Sequence, residues 1–219
     1  MTTSLKELAK KAVFRYTRFG APQYSYNIEP IQLATLVIEL DKVKEIPGVI
    51  LEVGVARGMT TRFLCEHLMR SQRTGERICV VDTFESFTAR DIEYEVERRG
   101  KIKGELIGFS YNDFGRWKEN FREFPFVTAF ASDCSTFDYS QISPIKLAFL
   151  DVDLYLPTKQ ALDRIYTQLC KGGVILVDDV KPNNNCDGAY DAYIEFCSER
   201  GLATEFVGTK CGLIRKVPS

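Results

Sequence analysis

Apolar residues in this chain fall into two alternating patterns. Short continuous runs rich in β-branched residues occupy positions 49–53, 77–82, 127–131, 145–150 and 174–178, and each reads as a strand buried on both faces of a parallel sheet. Between these runs the apolar positions recur at helical spacing. Leu33, Leu36, Val37 and Leu40 form one stripe of a helix over 31–44 that Pro47-Gly48 ends. A helix over 59–70 follows the first strand directly, and another is expected over 117–124. Ala161, Leu162, Ile165 and Leu169 face inward from a helix with Pro157 in its first turn and Gly172-Gly173 as its stop. Cys186, Ala189, Tyr190, Tyr193, Ile194 and Cys197 line the last helix, which Gly201 ends. Runs at 203–207 and 211–217 flank Gly208-Thr-Lys as a terminal antiparallel hairpin. Strands alternating with helices predict an α/β domain on a mostly parallel sheet, with helices on both faces.

Upstream of the first strand, Ser4-Leu-Lys-Glu7 reads as a capping box. It opens an amphipathic helix with Leu5, Leu8, Ala12, Val13 and Tyr16 on one side and Lys6, Lys10, Lys11, Arg15 and Arg18 on the other. Such a face packs on its own domain or on a twin subunit, which makes a homo-oligomer through the N-terminal helices an expectation. An irregular connector over 22–30 follows. The whole chain, 1–219, reads as one domain, with 1–46 as a helical extension.

Composition narrows the function classes. At 45% hydrophobic and 27% charged residues, the 219-residue chain has an ordinary globular make-up, and a formal net charge of −1 argues against a nucleic-acid footprint. No apolar run is long enough to span a bilayer, and no apolar leader marks a cleaved signal, so neither a membrane partner nor export is expected. Seven cysteines without a C-x-x-C pair predict a reduced, cytoplasmic protein with no disulfide framework or zinc cluster.

Candidate chemistry begins where the first strand ends. Glu52-Val-Gly54-Val-Ala-Arg-Gly58 joins that strand to a helix, and glycine there lets backbone approach a ligand closely. The turn is no P-loop, and Ala56 stands where a dinucleotide fingerprint has its second glycine. Asp82 ends the second strand 24 residues after Gly58, in position for a ribose diol. Ser132 and Asp133 follow the next strand, where an adenine amine would be met. The intervening segment, 83–115, mixes Phe84, Phe87, Phe109, Tyr111 and Phe114 with a charged run and is expected to form a lid. His67, well into its helix, is expected to be structural.

Two further strands end in paired acids: Asp151 and Asp153, then Asp178 and Asp179, with one helix between them. Carboxylates gathered at neighbouring strand ends could not all stay ionised alone, and a hard divalent cation, Mg²⁺ above others, resolves the repulsion.

The block FLDVDLYLPTKQALDRIYTQLCKGGVILVDDV, with GVILEVGVARG and VVDTFESF, resembles the macrocin/mycinamicin O-methyltransferase family of class I S-adenosylmethionine (SAM) dependent methyltransferases. The resemblance implies a Rossmann-like fold with a seven-stranded sheet, and methylation of a sugar hydroxyl on a natural product. It implies Asp151, Asp178 and Asp179 as metal ligands, and Glu52, Gly54, Asp82, Ser132 and Asp133 along the SAM site. Ala56, Arg57 and Gly58 of the turn, and Thr83 after the second strand, complete the expected cofactor set. Asp151, Asp153 and Tyr155 are each candidates to take the acceptor proton, and the sequence does not choose among them. Catechol-type relatives carry a catalytic lysine where Leu154 stands, which weakens a catechol-like aryl acceptor. A nicotinamide oxidoreductase and a non-catalytic nucleoside-binding protein are the readings of other classes.

Overall fold

The computed structural model describes residues 4–21, 24–183 and 186–217. Pro22 and Gln23 of the expected connector lie outside the described residues. Among the described residues seven strands form one sheet: β1 (Val49–Val53), β2 (Ile78–Asp82), β3 (Val127–Ala131), β4 (Ile145–Leu150), β5 (Leu169–Val177), β6 (Glu205–Val207) and β7 (Cys211–Arg215). Their spatial order is β3-β2-β1-β4-β5-β7-β6. The first five are parallel; β7 runs antiparallel to both β5 and β6, so the expected terminal hairpin joins the sheet through β7. Chain order reverses on either side of β1, and the carboxyl ends of β1 and β4 therefore border the crevice where open α/β sheets bind ligands.

Helices cover both faces, as the two apolar patterns require. α2 (Pro30–Lys42), α3 (Met59–Arg70) and α5 (Phe114–Asn120) close one core, with Leu36, Leu40, Leu64 and Leu68 against Ile50, Val80 and Phe149. α6 (Tyr155–Gln168) and α7 (Gly188–Glu199) close the other, with Ala161, Leu162, Ile165, Tyr193 and Phe196 against Leu51, Ala148 and Ile175. Alternate residues of β1 thus serve opposite cores, which is why all five are buried. α4 (Ala89–Arg99) lies beside α6 and α7. Its buried Glu95 accepts the Tyr155 N–H at 2.7 Å and pairs with Arg99, which also bonds Asp187 and Asp191. Half of the segment read as a lid is therefore anchored to the domain.

Three local expectations need correction. α6 stops at Gln168, and Gly172-Gly173 lie inside β5. Gly172 N–H donates to Lys216 O at 2.8 Å and Gly173 O accepts from Lys216 N at 3.0 Å, so pairing with the chain's end overrides a local helix stop. The capping box belongs to α2: Glu29 N–H donates to Gln32 Oε1, and the Glu29 carboxylate accepts in return. Ser4 instead accepts from Lys6 N, and Glu7 pairs with Lys10. The N-terminal helix α1 (Leu5–Tyr16) buries no side chain, leaving Leu5, Phe14 and Tyr16 exposed. Its apolar stripe is not packed on this domain.

Candidate active site

The turn after β1 owes its shape to its glycines. Gly54 has φ +78°, and a Cβ there would lie 1.9 Å from the Asp151 carbonyl oxygen. Gly58, at φ +84°, starts α3, and a Cβ on it would strike the Phe121 ring at 2.6 Å. Neither position admits a larger residue without moving backbone or a packed ring. Ala56 adopts the left-handed region with φ +44°, and its carbonyl accepts from Asn112 Nδ2 at 2.8 Å, which ties the far end of the 83–115 segment to the turn.

Asp82 locks this turn from β2. Its Oδ2 accepts the Val55 N–H at 2.7 Å and its Oδ1 the Phe84 N–H at 2.6 Å, leaving each oxygen one further lone pair to face the cleft. Glu52 is 1% exposed beneath α3 and accepts from Thr61 Oγ1 at 2.6 Å. Burial, aided by the Asp82 charge, pushes its pKa up to about 8. Thr83 spends its hydroxyl on Ser86 O at 2.7 Å. Ser132 N–H donates to Asp82 O, and Asp133 accepts from Ser135 N with Arg90 at 3.4 Å. Arg57 is exposed at the rim. All of these except Gly58 line one cleft that also reaches Asp151 and Asp153; Gly58 shapes the wall from behind.

At the other end of the cleft, β4 and β5 bring the acids together. One carboxylate oxygen from each of Asp151, Asp178 and Asp179 falls within 4.8 Å of the others, and Asp153, Asp179 and Cys186 form an overlapping group. Asp153 and Asp179 both occupy the left-handed region, with φ +60° and +55°. Ala189 N–H holds the Asp153 carbonyl from α7 at 3.2 Å. Desolvation first, then the charges of Asp178, Asp153 and Asp179, holds the Asp151 carboxyl well above the ordinary range. Desolvation likewise raises Asp153, with Asp179 as the next cause. This is the electrostatic signature of acids that lack enough positive charge, and an all-oxygen donor set of this kind fits a hard divalent cation.

Three side chains in this cluster were not legible as site residues: Cys186, which joins Asp153 and Asp179, then Gln32 and Lys210. Gln32 Nε2 donates to Asp178 Oδ1 at 2.6 Å. Lys210 Nζ lies 2.9 Å from Asp178 Oδ2 and 2.8 Å from Asp179 Oδ1. Burial works against the Lys210 ammonium, but the two aspartates outweigh it and push its pKa up.

Comparison with known proteins bears on the same stretch. Residues 29–207 match the family described as Macrocin-O-methyltransferase (TylF). The chain belongs to that family. That family is one of class I SAM-dependent O-methyltransferases. A curated relative, 8-demethyl-8-(2,3-dimethoxy-alpha-L-rhamnosyl)-tetracenomycin-C 4'-O-methyltransferase of Streptomyces olivaceus, is 25% identical over 156 residues, covering 67% of this chain and 58% of its own length. The chain thus spans less than two thirds of that relative. Two solved structures share the fold: the O-methyltransferase NovP, with TM-score 0.70 and 19% identity over 95% of this chain and 88% of its own, and the calicheamicin methyltransferase CalS11, with TM-score 0.69 and 18% identity over 98% and 94%.

Tyr155 does not join the other predicted residues. α6 begins at Tyr155, and its hydroxyl bonds Glu195 of α7 while its ring stacks on Tyr94 at 5.5 Å. Those partners turn it away from the acids, so it is withdrawn as a proton acceptor. His67 pairs with Asp41 at 2.9 Å on the outer side of α3, a structural placement.

Proposed function

We propose that this chain transfers a methyl group from SAM to a sugar hydroxyl of a natural product, assisted by a divalent cation. The observation that carries the reading is one cleft with the Gly54 turn, Glu52 and Asp82 at one end and Asp151 and Asp153 at the other. In it, Glu52 would face the SAM ammonium, Asp82 the ribose, and Ser132 and Asp133 the adenine. SAM supplies an electrophilic methyl, and a divalent ion held by Asp151, Asp178 and Asp179 supplies positive charge that lowers the pKa of a bound hydroxyl. Asp153 takes the acceptor proton, because it lines the cleft where Tyr155 does not. Much of the acceleration comes from holding the two reacting atoms in line.

A sugar acceptor is supported by the rhamnosyl substrate in the name of the S. olivaceus relative. A catechol-type acceptor is disfavoured, since Leu154 is apolar and 1% exposed. The 83–115 segment would act as a lid through its unanchored part, within a single domain, and the exposed stripe of α1 would serve a homo-oligomer. None of the seven cysteines is in a disulfide, which suits a reducing cytoplasm. Incubation with SAM, Mg²⁺ and a rhamnosylated aromatic polyketide, followed by mass spectrometry, should show one methyl added on the sugar. Calorimetric binding of NADH in preference to SAM would overturn the proposal.

A further inference from the structure

Lys210 is held in place by more than its two acids. It sits in the turn between β6 and β7, and Val180 N–H donates to its carbonyl at 2.7 Å, fastening the turn to the end of β5. Glu29 grips the same turn, accepting from Thr209 N at 2.9 Å and from Thr209 Oγ1 at 2.5 Å. Gly208, at φ +63°, makes that approach feasible: a Cβ there would lie 2.2 Å from Glu29 Oε2. Gln32 completes the clamp, since its Oε1 accepts from Glu29 N while its Nε2 donates to Asp178. The capping box of α2 thus fixes both the turn that carries Lys210 and the carboxylate that Lys210 meets.

Asp178 is therefore oriented on both oxygens, by a neutral donor on one side and a cation on the other. A divalent ion reaching this group must share Asp178 Oδ2 and Asp179 Oδ1 with an ammonium that already bonds them. One ammonium against four carboxyl groups does not neutralise the cluster, so Lys210 is no substitute for a divalent charge. It offsets part of the repulsion when no ion is present and repels an ion that arrives.

Resting on the divalent-cation reading above, we infer that Lys210 is a built-in counter-cation that presets Asp178 and Asp179 and weakens divalent binding, keeping the ion exchangeable. Three purified full-length proteins test this: wild type, Lys210→Gln, which is neutral yet can still donate, and Lys210→Arg, which keeps the charge. Titration calorimetry with Mn²⁺ should show Lys210→Gln binding about tenfold or more tightly than wild type, with Lys210→Arg close to wild type. In chelator, the melting temperature of Lys210→Gln should fall by about 5 °C or more, because buried carboxylates lose their partner, and Mn²⁺ should restore it. Binding gained by Lys210→Gln alone also supports the inference. Equal or weaker Mn²⁺ affinity in Lys210→Gln, with wild type still binding, overturns the inference and leaves the cation reading intact. Absence of Mn²⁺ binding in all three proteins overturns both.

Discussion

Glu52 gives the sharpest quantitative test of the cofactor site. With its carboxyl 1% exposed and its pKa pushed to about 8, it is mostly protonated in the free protein at pH 7. A ligand ammonium placed against it requires the carboxylate, so binding must first remove the proton. Each pH unit below that pKa costs about 1.4 kcal/mol, which predicts SAM affinity rising about tenfold from pH 6 to 7, several-fold from 7 to 8, and less than about twofold beyond. At pH 7 about 0.9 proton should leave per SAM bound. Titration calorimetry in phosphate and in Tris, whose ionisation enthalpies differ, reads that number directly. The amine of SAM itself titrates near the same pH, but with the opposite sense, and it persists when Glu52 is replaced. Glu52→Gln should therefore bind SAM more weakly at pH 8 and lose the proton release. The unliganded protein supplies a second sign. Because the folded pKa is raised, the native state holds a proton between pH 4.5 and about 8 that the unfolded chain has lost. Stability is fully present below that window, declines as pH rises through it, and levels off above it; Glu52→Gln should remove that contribution. Equal observed binding enthalpies in the two buffers, with unchanged affinity from pH 6 to 8, would refute the reasoning.

Three other outcomes follow from the placement of the acids and of α4. In chelator, Asp151→Asn should melt at or above the wild-type temperature, since it relieves repulsion among the cluster. Asp178→Asn should melt lower, because it strands Lys210; both should lose Mn²⁺ affinity by calorimetry while SAM affinity stays within about twofold. Tyr155→Phe should keep kcat within about threefold, measured by methyl transfer, as its hydroxyl serves Glu195. Amide exchange followed by mass spectrometry should show α4 protected with or without ligand, through Glu95 and Arg99, while residues 102–111, between the Lys101 and Asn112 tethers, gain protection only with SAM and acceptor bound. Equal protection of 102–111 in both states would make it a fixed wall.

What could be read from the sequence was whatever a strand's own end declares. Glu52, Gly54, Asp82, Asp151 and Asp178 each close or follow an apolar run, and parallel strands deliver such residues to a common edge without further instruction. α3 was legible to the residue because Gly58 and Ser71 bound its pattern, and β3 because Pro125 breaks the chain before it and Ser132 ends it. Gln32 and Lys210 carry no such local mark. They lie 146 and 32 residues from Asp178 and reach it through α2 packing and through β7 pairing with β5. The second route was in principle deducible: once the hairpin is docked antiparallel, with Val177 opposite Gly212, the turn before β7 must lie at the end of β5. Tyr155 failed for a different reason. Proximity in sequence to Asp153 says nothing of direction, and a helix starting at Tyr155 aims its side chain toward α7.

The two halves of the site are coupled through backbone. β1 pairs with β4, with Val53 opposite Leu150, so the glycine turn and the first acid leave the sheet side by side. Asp151 N–H donates to Val53 O at 2.8 Å, and the Asp151 carbonyl fills the space that a Cβ on residue 54 would need. Gly54 is thus required twice, once for its left-handed φ and once for the strand beside it. Any substitution there must push on the segment that aims Asp151 and Asp153, so damage to the cofactor turn reaches the acids through backbone.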